Sequence, residues 1–170
     1  PLNNNDQNFP QPTNSLGVGR TALNISLGYQ FACAILDNGL VSCWGGGGDG
    51  QIGNGNNAGS NPIPTPTSSL GANRTAVAIA SGTTHTCVIL DNGSVSCWGQ
   101  NSYGALGRGT EGGYSSNPAL TNSLGPNRTA VSISAGYANT CVVLDNGEAK
   151  CWGYNGAGQL GDGTTTSQYS

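Results

Sequence analysis

Six cysteines are the residues best placed to do chemistry in this chain, and their spacing says which chemistry. They fall as Cys33/Cys43, Cys87/Cys97 and Cys141/Cys151, and each pair follows the previous one by 54 residues. Pairs repeated in register point to three disulfides, each stapling its own unit and worth about 2–4 kcal/mol. Buried free thiols are the alternative reading. Zinc is the weaker one, because no pair has the two-residue spacing of a zinc site and the single histidine, His85, cannot complete the sets. Disulfides imply an oxidising compartment, so the chain is expected outside the cell or at its surface.

Four glycosylation sequons fit that compartment. Asn73-Arg-Thr75 and Asn127-Arg-Thr129 share one phase, in the loop before a strand. Asn92-Gly-Ser94 sits on a hairpin tip and Asn24-Ile-Ser26 inside a strand. N-glycans are expected at Asn73 and Asn127 first, then Asn92, then Asn24, which needs an exposed strand face. The stretches 62–69 and 164–167, rich in Ser, Thr and Pro, suit O-linked sugars.

No catalytic constellation stands out. His85 takes a place held by Phe31 and Asn139 in the other copies, which favours packing or hydrogen bonding over catalysis. Asp37, Asp91 and Asp145 belong to turns, where such side chains bond nearby backbone N–H groups. Arg20, Arg74 and Arg128 recur at one phase and are read as structural, bonding carbonyls or the Asp of the same or a neighbouring unit, with an anion-binding row as the alternative. The glycine run 45–50 lacks the Lys-Ser/Thr of a phosphate loop and the short period of a calcium repeat. No enzyme activity, metal or cofactor is expected. The loop aromatics Tyr103, Tyr114, Tyr137 and Tyr154 remain, as a protein- or glycan-recognition surface with Tyr103 and Tyr154 foremost.

A strict repeat supplies the elements that position these residues. Cys-Trp-Gly recurs at 43–45, 97–99 and 151–153, preceded by Leu-Asp-Asn-Gly at 36–39, 90–93 and 144–147, with no insertion or deletion between copies. Pro10, Pro64 and Pro118 keep the same register. The 170 residues therefore read as one repeat domain with units of about 1–54, 55–108 and 109–162, and 163–170 opening the next phase. Each unit reads as four short strands. Residues 22–26 alternate, placing Leu23 with Ile25 on one face, as Val77 with Ile79 and Val131 with Ile133 in the copies. Residues 31–36, Asp-Asn-Gly and 40–44 read as a β-hairpin. A three-residue loop with a left-handed Gly39 sets Cys33 opposite Cys43, whereas a two-residue Asn-Gly turn sets it opposite Trp44. The cysteines argue for the first. A glycine-rich loop then leads to a proline-rich stretch, suited to an outermost edge strand. Four strands at this period is the pattern of a propeller blade.

Composition narrows the function classes. Charged residues make up 8% of the chain, against about 25% in ordinary soluble domains, and the net charge is −3. A nucleic-acid partner would require a basic face. No apolar run is long enough for a membrane span, and 29 glycines disfavour long helices.

These units resemble the repeats of the regulator of chromosome condensation family. The second copy carries the pattern in Gly82, Thr86, Leu90, Gly93, Trp98-Gly99, Asn101, Gly104, Leu106-Gly107 and Gly109. The third carries it in Trp152-Gly153, Asn155, Gly158, Leu160-Gly161 and Gly163. The first departs, with Gly47 for the Asn and Ile52 for the Leu. The resemblance implies an all-β fold of three propeller-blade-like repeats, part of a propeller or an open superhelical stack. It leaves function open, since that family spans a nucleotide-exchange factor, light sensors and secreted enzyme inhibitors.

Propellers close with roughly four to eight blades, so three units leave both ends of a stack uncovered. Residues 8–13 read as an outer strand, and the last unit lacks one. The expectation is a non-enzymatic extracellular structural protein that self-associates head to tail, each N-terminal segment finishing its neighbour's third blade, as a fibre or a ring. The alternatives are a secreted or cell-surface protein- or glycan-binding module, and a fragment of a longer tandem-repeat propeller. The start at Pro1, without Met, suits a processed or partial chain.

Overall fold

The computed structural model describes residues 11–170. Short β-branched and apolar runs punctuated by glycine form three antiparallel sheets, each a blade. The first holds β1 (Ala22–Leu27), β2 (Phe31–Leu36), β3 (Val41–Gly46) and β4 (Ser60–Pro66), in sequence order. The second holds β5 (Ala76–Ser81), β6 (His85–Leu90), β7 (Val95–Gln100) and β8 (Tyr114–Leu120). The third holds β9 (Ala130–Ala135), β10 (Asn139–Leu144) and β11 (Ala149–Gly153). The expected proline-rich strands, β4 and β8, are outermost, where a missing N–H disrupts no further ladder.

The third blade has three full strands, in line with the outer strand expected to be missing from the last unit. Its outer position is occupied by a single bridge, Gly153 with Gln168, in which the Gly153 N–H donates to the Gln168 carbonyl at 2.6 Å. Gln168 is the repeat equivalent of Tyr114, where β8 starts, so the fourth strand is begun rather than absent. Of the N-terminal segment expected to serve as an outer strand, residues 8–10, with Pro10, lie outside the described residues, and 11–13 are exposed and belong to no strand.

The central hairpin has the three-residue loop. Leu36 N–H donates to the Leu40 carbonyl and Gly39 N–H to the Leu36 carbonyl, both at 2.8 Å, with Gly39 at φ 74°. Cys33 then lies opposite Cys43, Cys87 opposite Cys97 and Cys141 opposite Cys151. All three pairs are disulfide-bonded.

Two expectations need correction. A β-bulge between Ala22 and Asn24, repeated between Ala76 and Ala78, breaks the alternation of the inner strand. Val77 is therefore 58% exposed while Ile79 is 8% exposed, and the two do not share an environment. The turn aspartates also reach farther than nearby backbone. Asp37, Asp91 and Asp145 accept from the N–H groups of Thr21, Thr75 and Thr129, 16 residues back. The same carboxylates meet Arg20, Arg74 and Arg128 at 3.4–3.5 Å, so the arginines are structural and pair within their own blade. Each pair is half-exposed and worth roughly 0–1 kcal/mol. The turn itself is closed by the neighbouring Asn, whose Oδ1 accepts from Leu40, Ser94 or Glu148 N–H at 3.1 Å.

The core lies between the blades. One cluster joins Cys33, Ile35, Val41 and Ile52 of the first blade to Ile79, Val88, Leu90 and Trp98 of the second. The other joins Cys87, Ile89, Val95 and Leu106 to Val142, Leu144 and Trp152 of the third.

Candidate functional site

Each blade meets the next through a shared set of contacts, made twice. Trp98 donates its indole N–H to the Gln51 carbonyl at 2.9 Å, and Trp152 does the same to Ala105. Ala76 N–H donates to the Gly39 carbonyl and Ala130 N–H to that of Gly93, each at 2.8 Å. Glycine makes these approaches feasible. A Cβ on Gly53 or Gly107 would lie 2.6–2.8 Å from the next blade's tryptophan, and one on Gly39 or Gly93 would lie 2.4–2.5 Å from its Thr75 or Thr129.

Both ends of the described stack hold half of this set. Trp44 is half-buried, and its indole N–H has no partner among the described residues. At the other end the Gln159 carbonyl, equivalent to those of Gln51 and Ala105, accepts nothing among the described residues. Gly161 and Gly147 have no atom within 4 Å of a built Cβ. Val143 is 40% exposed, whereas its equivalents Ile35 and Ile89 are 2% exposed. Cys141 and Cys151 are half-buried, whereas the other four cysteines are fully enclosed.

His85 belongs to the junction between the second and third blades. It is fully buried, and its Nε2 lies 2.9 Å from Thr140 Oγ1. Its Nδ1 has no partner in the described structure. Burial pushes its pKa down from 6.5 to about 4. Between those values the unfolded chain takes up a proton that the folded chain refuses. Stability from this group is therefore complete above 6.5 and is lost as pH falls toward 4, by at most about 1.4 kcal/mol per pH unit. Urea midpoints are expected to drop across this window. The slope should flatten in His85→Asn, which installs the residue the third blade carries at Asn139. Equal slopes would remove His85 as the cause. Its ring is held by the Thr140 hydroxyl within the junction, and no carboxylate lies against it among the described residues.

The sequon residues Asn24, Asn73, Asn92 and Asn127 are all exposed. Asn73 and Asn127 share φ 56°, a left-handed conformation that Asn tolerates. Three of the four loop tyrosines come together. Tyr103 and Tyr154 have ring centroids 4.8 Å apart at 52°, and Tyr137 meets Tyr154 edge-on at 6.2 Å. Tyr114 lies apart, its hydroxyl accepting from Asn57 Nδ2 at 2.9 Å. Among the described residues no group of three His, Cys, Asp or Glu is arranged to hold a metal, and no helix is long and apolar enough to cross a membrane.

Sequence reasoning missed the carbonyls of Gln51, Ala105 and Gln159, since a backbone acceptor leaves no side-chain signature. It also missed the reach of the loop asparagines. Asn101 accepts from Leu106 N–H and donates to the Thr110 carbonyl, and Asn155 repeats this with Leu160 and Thr164. The Asn101 bonds close the loop that receives Trp152.

Comparison with known proteins agrees with this architecture. Models of the Regulator of chromosome condensation (RCC1) repeat match residues 23–51, 76–105 and 130–159, and in a second form 38–89 and 92–143. The human E3 ubiquitin-protein ligase HERC2 is 30% identical over 147 residues, covering 86% of this chain and 3% of that protein. The ultraviolet-B receptor UVR8 of Arabidopsis thaliana is 35% identical over 147 residues, covering 86% of this chain and 32% of the receptor. The chain thus spans about a third or less of these relatives. Yeast RCC1 (Prp20), solved with Kap60, superposes with a TM-score of 0.78 at 18% identity, over 87% of this chain and 36% of that one. Blade topology, loop chemistry and matched repeats agree, and the chain belongs to the regulator of chromosome condensation (RCC1) repeat family.

Proposed function

We propose that this chain is a non-enzymatic extracellular structural protein that associates head to tail with its own copies. The supporting observation is the pair of half-satisfied end faces. Trp44 of one copy supplies the indole that the Gly161 hollow and the Gln159 carbonyl lack, and Thr21 supplies the side chain that Gly147 leaves room for. The new junction then repeats the two inside the chain. Three disulfides and four exposed sequons support an exported, glycosylated protein. Sugars also keep so uncharged a surface soluble. Ring or fibre depends on whether the rotation per copy closes.

A fourth blade of a longer chain is the competing occupant. Sedimentation of the secreted protein, with its intact mass and negative-stain images, separates the two. Regular multiples of one glycosylated three-blade chain are expected for the wild type. Val143→Lys, on the open face, is expected to leave folded monomers, since burying an unpaired ammonium there is unfavourable. Monodisperse wild-type monomers, or an intact mass carrying further blades, would overturn the proposal.

A further inference from the structure

We propose that the groove at the seam of the second and third blades, walled by Tyr103 and Tyr137, binds a neutral saccharide. The groove has a cavity volume of about 310 Å³, and Thr83, Thr84, Gln100 and Ser102 line it beside the two tyrosines.

The first seam serves as its control. There the equivalents of Tyr103, Tyr137 and Tyr154 are Asp49, Thr83 and Gln100. Gln100 Nε2 donates to Asp49 Oδ1 at 3.4 Å across that seam, a polar pair in place of the Tyr103–Tyr154 ring contact. The same blade junction forms with either set, so the fold does not require the aromatic one. Tyr103 moreover sits at φ 56°, a left-handed conformation that neither Asp49 nor Ala157 adopts at the equivalent place. Residues other than Gly, Asn and Asp seldom accept that conformation without a compensating use. Tyr103 is 43% and Tyr137 67% exposed, yet half-buried Tyr154 touches both rings and fixes them. Exposed, pre-positioned rings lose little freedom when a ligand arrives.

The lining identifies the ligand class. Ring faces carry partial negative charge and suit the weakly positive C–H face of a pyranose. Hydroxyls of Thr83, Thr84 and Ser102 and the carboxamide of Gln100 offer donors and acceptors to sugar hydroxyls. Thr84 Oγ1 donates to Gln100 Oε1 at 2.9 Å, which fixes the amide. The lining contains no Asp, Glu, Lys, Arg or His to reward an ionic ligand. The groove lies inside the chain, so it stands whether or not copies associate.

Ligand-observed NMR and calorimetry with cellohexaose, chitohexaose, xylohexaose and mannohexaose test this, with decaproline as the peptide comparison. Saturable binding of at least one hexasaccharide is expected. Tyr103→Asp and Tyr137→Thr, which install the residues of the preceding blade, are each expected to weaken it at least tenfold while the protein still unfolds in one cooperative transition. No binding by any hexasaccharide, unchanged binding in both variants, or binding of decaproline alone would overturn the assignment.

Discussion

Replacing Trp98 with alanine is expected to lower the unfolding free energy by about 3–5 kcal/mol. The indole is fully buried in the first inter-blade cluster and donates to the Gln51 carbonyl at 2.9 Å. Truncation leaves both a void and a buried carbonyl without its donor. Trp44→Ala removes the same side chain from the same place in the repeat. On the Val143→Lys background, where no neighbouring copy is expected to cover it, Trp44 is half-buried and its N–H is unpartnered among the described residues, so the loss should be less than half as large. Urea denaturation of the two variants isolates the value of the junction, because the hairpins carrying the two residues match. Equal losses would mean that the first two blades do not depend on each other through this tryptophan.

The second large effect is at the Cys87–Cys97 disulfide. Cysteines 10 residues apart close a short loop, and releasing it is expected to cost about 3 kcal/mol on the chain-entropy estimate. The double variant Cys87→Ala/Cys97→Ala should therefore melt well below wild type, and its loss should exceed that of Cys141→Ala/Cys151→Ala. The middle pair is fully enclosed in the second cluster, while the third pair is half-buried on the open face. Thiolate attack needs access to sulfur. Graded dithiothreitol followed by alkylation and mass spectrometry, on the Val143→Lys protein, should find Cys141–Cys151 open first. Release of Cys87–Cys97 ahead of it would contradict the burial assigned to the two faces.

The hairpin was legible because two independent constraints met in it. Asp-Asn-Gly allows two loop lengths, and only one sets Cys33 against Cys43. The outer strands were legible because proline is tolerated there. The inner strands were not fully legible. Leu23, Val77 and Val131 look like ordinary members of an alternating run, and a bulge has no signature in residue types. Asp37 looked like a turn residue because its neighbours are turn residues, while its partners, Thr21 and Arg20, lie in the segment leading into β1. The tyrosine cluster draws on three separate loops, so proximity of Tyr103, Tyr137 and Tyr154 required the stacking of blades. The end faces were partly legible. Too few units to close follows from counting, but which atoms remain unmatched does not.

The two junctions also share their sequence arithmetic. The tryptophan bond spans 47 residues at both, and the hydroxyl bonds from Thr86 and Thr140 to the same carbonyls span 35. These cross-blade partners are thus specified by a fixed offset along the chain. A gene segment encoding one 54-residue unit can be duplicated or excised by unequal recombination, and the surviving junctions keep these shared partners. Length in such a lineage changes in whole blades, without new junctions having to evolve.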